Sequence, residues 1–195
     1  ISAAALIQDR KVLRYVGKKY ITARREMGFL VPSKGFEYAT IKGHKCAIIV
    51  GDDLSREHDF DKSVETVISI NARKYGKGTM TYRYEMMRNL AFVESKNLVL
   101  VNQVGGSTDI VYDGTSGALN SRGELVLMMK NFEEDFQIFD TKASARPITI
   151  PSTYNDRTRL VYEAARCGLR DFFRKNGYRK ASIGLSGGID SAVVA

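Results

Sequence analysis

One stretch near the carboxyl end, residues 184–191 with the sequence GLSGGIDS, constrains the fold more than any other. The residues before it, 179–184, predict a short strand entering a buried sheet, and 192–195 predict the first turn of a helix. A strand, a Ser-Gly-Gly turn and a helix start, in that order, form the geometry of a phosphate cradle. Backbone N–H groups of the glycines and the positive end of the helix dipole can then face an anion.

The candidate phosphate-binding residues are Ser186, Gly187, Gly188, Asp190 and Ser191. The glycines leave the backbone open, the serines add hydroxyl donors, and the carboxylate of Asp190 could cap the helix or hold a magnesium ion on the phosphates. A bare Ser-Gly-Gly would favour an ordinary turn, and the presence of Asp190 and Ser191 favours the phosphate site. The loop is not of the Walker type, because no Gly-Lys-Ser/Thr follows it.

The motif from Ser186 to Ser191 resembles the pyrophosphate loop of the ATP-pyrophosphatase family, which includes NAD, GMP, asparagine and argininosuccinate synthetases. The resemblance implies ATP and Mg²⁺ as cofactors, and a doubly wound adenine-nucleotide-binding domain whose first strand and loop are seen here. Because the sequence starts at Ile1 and ends four residues after Ser191, we expect the chain to be a piece of a longer protein.

Composition narrows the class of protein. The chain has 195 residues, 44% of them hydrophobic, which is enough for one core and part of another. Its net charge of +8 comes from scattered basic residues without a nucleic-acid-binding motif. We therefore expect a solvated basic surface suited to phosphorylated substrates, and no nucleic-acid partner. The absence of a long apolar run and of a signal peptide predicts a cytoplasmic protein without a membrane partner.

Hydrophobic periodicity predicts an α/β fold. The helix at 79–95 should bury a face formed by Tyr82, Met86, Leu90 and Val93, whereas Gly105 and Gly106 should form a tight turn. The other predicted elements are hairpins at 3–8 with 11–15 and 36–41 with 44–50, strands at 66–70 and 97–101, antiparallel strands between 109 and 140 with an alternating stretch at 132–140, and helices at 59–64 and 156–175.

The region upstream of the loop resembles a nitrilase-fold amidohydrolase domain, and specifically the glutaminase domain of glutamine-dependent NAD synthetases. The residues that carry the resemblance are Lys18-Lys-Tyr-Ile21, Val50-Gly-Asp-Asp-Leu54, Ile70-Asn-Ala72, Gly76-Lys77, Arg83, Asn102-Gln-Val-Gly-Gly106, Tyr112-Asp-Gly114 and Phe132-Glu-Glu134. In that family such a domain precedes a Leu-Ser-Gly-Gly-Ile-Asp-Ser loop in one polypeptide. The implied fold is an incomplete nitrilase-like α-β-β-α sandwich, followed by the first strand and loop of the nucleotide-binding domain.

The same resemblance implies a damaged glutaminase centre. That family uses a Glu base, a Lys that stabilises the oxyanion and a Cys nucleophile. Lys18 matches the lysine, the glutamate would precede Ile1, and the cysteine position is occupied by Gly51. Cys46 lies five residues too early to replace the nucleophile, and we expect both it and Cys167 to be buried thiols.

Simpler interpretations of the upstream residues remain open. Lys18 could be a surface lysine beside Lys19, and Asp53 is expected only to cap a turn. We expect both histidines, His44 and His58, to be solvated.

The resemblance also implies domains and partners. The implied domains are a nitrilase-like unit at 1–141, a linker at 142–155 and the start of an ATP-binding domain at 156–195. The implied partners are deamido-NAD and either glutamine or ammonia, within a homo-oligomer. Two alternatives remain: another amide-forming ligase with the same loop, or a non-catalytic amidohydrolase-like domain that serves assembly.

Overall fold

A computed structural model of the chain describes residues 2–22, 24, 26–141 and 146–195. The strands, in chain order, are β1 (Ala3–Gln8), β2 (Lys11–Gly17), β3 (Glu37–Ile41), β4 (His44–Val50), β5 (Thr66–Asn71), β6 (Asn97–Asn102), β7 (Val104–Ser107), β8 (Ile110–Asp113), β9 (Gly117–Leu119) and β10 (Leu125–Met128). The α-helices are α1 (Thr79–Glu94), α2 (Arg157–Asn176) and α3 (Ile189–Val194), and two 3₁₀ turns cover Gly51–Ser55 and Ser152–Tyr154.

A six-stranded mixed sheet in the order β10-β9-β6-β5-β4-β3 forms the centre of the molecule. Its middle strands β4, β5 and β6 run parallel, and the outer strands pair antiparallel. The continuous apolar run of β4 fits a parallel strand covered on both faces. Because the three middle strands are parallel, their carboxyl ends at Val50, Asn71 and Asn102 meet at one edge of the sheet.

The main core lies between one face of this sheet and α1. The buried residues of this core are Ala47, Ile49, Leu54, Phe60, Val64, Val67, Met87, Leu90, Ala91, Leu98, Leu100, Leu119 and Leu125. Side chains alternate across a strand, so Ile48 points to the opposite face of the sheet. There it packs with Ala39 and Val16, which brings the β1–β2 hairpin onto the sheet.

The structure confirms the α/β class, both hairpins, the strands around 66–70 and 97–101, and the two long helices. Three predicted elements are wrong. Residues 59–64 form a turn in which the Asp61 carboxylate accepts hydrogen bonds from Ser63, and 132–140 carries no strand despite its alternating pattern. Residues 179–184 also form no strand and are exposed, since no neighbouring strand pairs with them in the described chain.

The buried face of α1 differs from the predicted one. Tyr82 is 57% exposed and Val93 76% exposed, whereas Arg83 is buried. The Arg83 guanidinium donates from one Nη to both carboxylate oxygens of Asp113, each at 2.8 Å, and Asp113 is fully buried. An ion pair between residues thirty positions apart leaves no local trace in the hydrophobic pattern, which explains why periodicity chose the wrong face.

Helix α2 packs on the two-stranded ribbon formed by β7 and β8. Gly105 and Gly106 lie in strand β7, not in the predicted turn. A Cβ atom on Gly106 would approach the Gly168 backbone of α2 to 3.0 Å, so the glycine permits this close contact. The fully buried carboxylate of Asp171 accepts the Gly106 N–H at 2.8 Å, and the Lys175 ammonium donates to the Gly106 carbonyl.

Helix α2 belongs to the predicted ATP-binding domain, but it packs on β7 and β8 of the predicted nitrilase-like domain, so packing contacts cross the predicted boundary. Part of the predicted linker, 142–145, lies outside the described residues. Downstream of it the Ile148 N–H donates to the Leu125 carbonyl, and Ile150 packs against the main core. We keep the division at 142–155 as a proposal about chain organisation. In the part of the chain that is described, no helix has the length and apolar character needed to cross a membrane.

Candidate functional site

Residues from three chain segments meet at the carboxyl edge of the parallel strands. Gly51 and Asp52 follow β4, Arg73 follows β5, and Lys18 follows β2. In open α/β sheets this edge is where ligand-binding and catalytic residues collect. The side chain of Lys18 is only 6% exposed, so the interpretation of Lys18 as a surface lysine is wrong.

The Lys18 ammonium is held by two carboxylates. It donates to Glu26 Oε2 at 2.9 Å and to Asp52 Oδ2 at 3.3 Å. Burial alone would lower the pKa of Lys18, but the hydrogen bonds and negative charges of these partners outweigh it and raise that pKa above its usual value. Lys18 therefore stays charged, as an electrostatic stabiliser of negative charge must.

Asp52 is held in the charged form by its own partners. Burial alone would raise the pKa of Asp52, but the hydroxyl of Thr22 donates to the same carboxylate, and the charges of Lys18 and Arg73 act in the same direction. The combined effect lowers that pKa below its usual value. The Arg73 Nη2 atom lies 3.6 Å from Asp52 Oδ1. The site is thus a set of paired charges around the end of β4.

Gly51 occupies the centre of this cluster. An ideal Cβ atom built on Gly51 would lie 3.5 Å from Lys18 Cε and 3.6 Å from Lys18 Nζ, which is ordinary van der Waals contact. The backbone φ of Gly51 is +62°, a left-handed conformation that side-chain-bearing residues adopt at some cost. A side chain at this position would have room and would begin directly beside the ammonium. The native glycine supplies no nucleophilic atom.

Asn102, at the end of β6, ties the strand ends together. Its Oδ1 accepts the Arg73 N–H at 2.8 Å, and its Nδ2 donates to Asp113 Oδ1 at 3.1 Å and to the Gly114 carbonyl at 3.0 Å. The Asn102 amide thus satisfies backbone groups at the end of the strand. Through Arg73 the same amide also supports the position of a site residue.

Cys46 is remote from the cluster. It lies near the opposite end of β4, roughly 16 Å from Gly51 at about 3.3 Å per strand residue. Its thiol is buried, and burial raises its pKa. Cys167 is likewise a buried thiol, in the contact between α2 and Phe132. Neither cysteine is placed to act as a nucleophile at Gly51.

His58 is not solvated as predicted. Its ring packs against both Phe36 and Phe60, with ring centroids 5.3 and 4.8 Å away, and its Nε2 donates to the Asp53 carbonyl at 2.7 Å. His44 is partly exposed and pairs with Glu65 at 2.8 Å. Both histidines have structural partners outside the charged cluster.

The Ser-Gly-Gly loop forms a second, separate group of predicted site residues. The Ser186 and Ser191 hydroxyls lie 3.1 Å apart, and the Ser191 hydroxyl donates to the Gly188 carbonyl at 2.9 Å. Gly187 has a φ of +83°, a left-handed conformation that glycine adopts readily. Asp190 stands in the first turn of α3. Residues 186–190 of this loop are exposed and Ser191 is half-buried, and the side-chain hydrogen bonds described for the loop stay within it.

Three residues of the charged cluster were missed by the sequence analysis, namely Thr22, Glu26 and Arg73. Thr22 and Glu26 lie outside any helix or strand, where hydrophobic periodicity gives no signal. No described group of three or more His, Cys, Asp and Glu side chains could hold a metal ion by itself. A metal at Asp190 would therefore need ligand oxygens from elsewhere, such as phosphates.

No protein-family model matches the chain. Among curated proteins, the glutamine-dependent NAD(+) synthetase of Acinetobacter baylyi is 30% identical over 164 residues, which cover 81% of this chain and 30% of that protein. The synthetase of Synechocystis is 30% identical over 177 residues, which cover 82% of this chain and 32% of that protein. The chain is related to the glutamine-dependent NAD(+) synthetases.

Solved structures agree with this relationship. The glutamine-dependent NAD+ synthetase from Acinetobacter baumannii in complex with adenosine diphosphate superposes with a TM-score of 0.79 and 28% identity, covering 97% of this chain and 38% of that one. An amidase of the nitrilase superfamily from Nesterenkonia gives a TM-score of 0.55 at 17% identity over 66% of the chain, which shows a shared fold. The chain thus spans about a third of the length of the curated synthetases it matches.

Proposed function

We propose that this chain is part of a ligase that amidates deamido-NAD with ATP and ammonia, and that its own amidohydrolase centre does not hydrolyse glutamine. By this proposal the carboxylate of deamido-NAD attacks ATP to form an adenylate and release pyrophosphate, and ammonia then attacks the adenylate carbonyl to give the amide, with release of AMP and a proton. The relationship to the NAD(+) synthetases and the retained Ser186–Ser191 loop support the ligase half.

The observation that carries the second half is the position of Gly51. Lys18 and Asp52 remain in a charge-paired cluster, and the Cβ position of residue 51 lies 3.6 Å from the Lys18 ammonium. By this proposal the cluster retains the electrostatic part of a glutaminase centre. Hydrolysis of an amide through a covalent intermediate needs a nucleophilic atom, and glycine has none. A buried Cys46 at the far end of β4 does not replace it.

Ser186, Gly187, Gly188 and Ser191 would hold the pyrophosphate of ATP in this proposal. Asp190 would supply one carboxylate oxygen to a magnesium ion whose other ligands are phosphate oxygens and water. One carboxylate is a sufficient protein contribution for this ion, so the residues present fit it. When bound, magnesium offsets the charge of the phosphates. The protein's own groups orient the phosphates through N–H and hydroxyl donors.

A test of the nitrogen source uses the full-length protein with ATP and deamido-NAD. NAD formation is measured with ammonium chloride and, separately, with glutamine, while glutamate release is followed in the second assay. We expect NAD from ammonium and no glutamate above the blank. Glutamate release that a thiol-alkylating reagent abolishes would refute the loss of the glutaminase and would point to another cysteine of the full protein.

One observation favours a further role for the upstream region. Its core is buried and its charged cluster is paired although the position of the nucleophile carries no side chain. Such a unit can serve assembly of the synthetase as a homo-oligomer. Deletion of residues 1–141 from the full-length protein should then change its oligomeric state in solution while ATP binding remains. An unchanged oligomeric state would argue against this role.

A further inference from the structure

We propose that Asp53 is a positioning residue that fixes the Lys18 ammonium beside residue 51. The inference deepens the proposed function at the same site and rests on it for its biological meaning. The hydrogen bonds on which the inference depends can be tested without measuring any enzymatic activity. The sequence pattern predicted that Asp53 caps its own turn, and its carboxylate does accept the Val50 N–H at the start of that turn at 3.5 Å. Its shorter bonds, however, go to a distant segment.

The carboxylate of Asp53 is almost fully buried, at 1% exposure. Its Oδ1 accepts the Tyr20 N–H at 2.7 Å, and its Oδ2 accepts the Lys19 N–H at 2.9 Å. A turn-capping aspartate accepts N–H groups from its own neighbourhood, whereas these donors lie 33 and 34 residues earlier in the chain. The short bonds of Asp53 therefore join two distant segments.

The two segments are the ones that carry the site. Lys19 and Tyr20 directly follow Lys18, while Asp53 lies two residues after Gly51. The same Oδ2 also lies 3.5 Å from the Val50 N–H, at the end of β4. One carboxylate thus contacts the backbone on both sides of the gap that separates Lys18 from residue 51. Lys19 and Tyr20 lie outside any strand, so strand pairing does not keep them there.

The turn that holds Asp53 is itself anchored from behind. The Asp53 carbonyl accepts from His58 Nε2 at 2.7 Å, and the His58 ring packs against both Phe36 and Phe60. The Lys19 ammonium lies over the Phe36 ring, 3.9 Å from its centroid. Both ends of the Asp53 bridge are thereby packed against the same aromatic group. A buried carboxylate in a rigid setting is suited to define position, because misplacement of a catalytic group by about 1 Å can cost about a hundredfold in rate.

The test measures the proximity of Lys18 and residue 51 directly. In Gly51→Cys the new thiol begins beside the ammonium, and ortho-phthalaldehyde joins an amine and a thiol that lie next to each other into a fluorescent isoindole. We expect Gly51→Cys to form an adduct between Lys18 and the new thiol, identified by peptide mapping, that is absent when Lys18→Met is added. Adding Asp53→Asn should slow adduct formation about tenfold or more, because one N–H loses its acceptor and the segment moves.

The matched control is Gly51→Cys with Asp61→Asn. Asp61 also accepts hydrogen bonds, from Ser63 and Lys45, and these partners lie outside the Lys18 cluster. The Asp61→Asn substitution should leave the rate of adduct formation unchanged. An equal rate in the Asp53→Asn variant, with native circular dichroism, would overturn the inference, as would a folded Gly51→Cys variant that forms no adduct.

A second measurement needs no variant that could fail to fold. In the wild-type chain the Lys19 and Tyr20 amides lie outside any strand, and we expect them to exchange hydrogen slowly because Asp53 accepts both. Exchange at the rate of free peptide would refute the bridge. Neither measurement involves ATP, deamido-NAD or glutamine, so the inference and the proposed function can fail independently.

Discussion

The Lys18 cluster and the Ser186–Ser191 loop differ in which parts of a functional site they contain. The cluster has a buried lysine, bonds to distant segments and a defined electrostatic environment, but at Gly51 it has no reactive atom. The loop keeps every residue type of its motif, but residues 186–190 are exposed, and the hydrogen bonds described for its serine side chains stay within residues 186–191. The residues of a motif and the structure that surrounds them are therefore separate properties. The loop has the complete motif, whereas the Lys18 cluster has the surrounding structure.

Hydrogen exchange of the 195-residue chain is the strongest test of this difference between the two regions. Strand β5 is paired on both sides in the sheet, whereas residues 179–188 have no strand partner in the part of the chain that is described. We expect the β5 amides to exchange more slowly by a factor of about 10⁴ or more, since they open only with global unfolding. Strong protection of 179–188 would mean that this segment has found a partner, and the contrast between the two regions would be lost.

The second prediction concerns the intact motif in the full-length protein. Gly187→Val places a branched side chain at a φ of +83°, which costs about 1–3 kcal/mol, and it also blocks the approach of the phosphate. We expect ATP affinity, measured by calorimetry, to fall by about a hundredfold or more.

Gly184→Val is the matched control for this prediction. Gly184 lies two residues before the loop, has no other described atom near its Cβ position and does not have a positive φ. It should bind ATP almost as the wild type does. If Gly187→Val also keeps wild-type affinity, the loop is an ordinary turn.

The sequence was informative wherever the chain's own neighbours decide the structure. Apolar runs identified β4, β5 and β6, and the helix predicted at 156–175 agrees with α2, in which Asp156 accepts the Arg159 N–H and Gly177 ends the helix in a left-handed conformation. Even the steric requirement at Gly187 followed from its motif. These features depend on residues a few positions apart, which is the range that pattern analysis covers.

The sequence failed where distant residues pair. Arg83 can be buried because its charge is paired with that of Asp113. Asp53 can be buried because its carboxylate accepts hydrogen bonds from the Lys19 and Tyr20 N–H groups. Thr22 and Glu26 belong to the site through side-chain contacts to residues of another segment. Such pairs join positions 8 to 34 residues apart. The strand at 179–184 failed for the related reason that a strand is defined by a partner as well as by its own residues.

The third prediction concerns the contact that joins the two regions. Asp171→Ala removes the acceptor of the buried Gly106 N–H and leaves that group without a partner. We expect the free energy of unfolding, measured with urea, to fall by about 1–3 kcal/mol.

Glu163→Ala is the control on the same helix. Glu163 pairs with Arg166, which is 57% exposed, so its loss should cost less than about 1 kcal/mol. Equal effects of the two variants would show that α2 is held by its apolar contacts alone. The link between the loop and the upstream unit would then be weaker than the geometry indicates.

The smallest expected effect is a pH dependence that arises behind the Lys18 site. Burial lowers the pKa of His58 and the Lys19 charge acts in the same direction, whereas the hydrogen bond to the Asp53 carbonyl and the Asp53 charge oppose them without cancelling them. Because the pKa is lower in the folded than in the unfolded chain, the unfolded chain binds the extra proton first as the pH falls. Stability from the neutral ring is thus complete above the ordinary pKa of 6.5 and is lost progressively below it. In His58→Gln, which keeps an N–H donor but cannot titrate, the loss of unfolding free energy between about pH 7.5 and about pH 5.5 should be smaller than in the wild type. Equal losses would mean that the stack tolerates the charged ring, and that the support of Asp53 does not depend on a neutral His58.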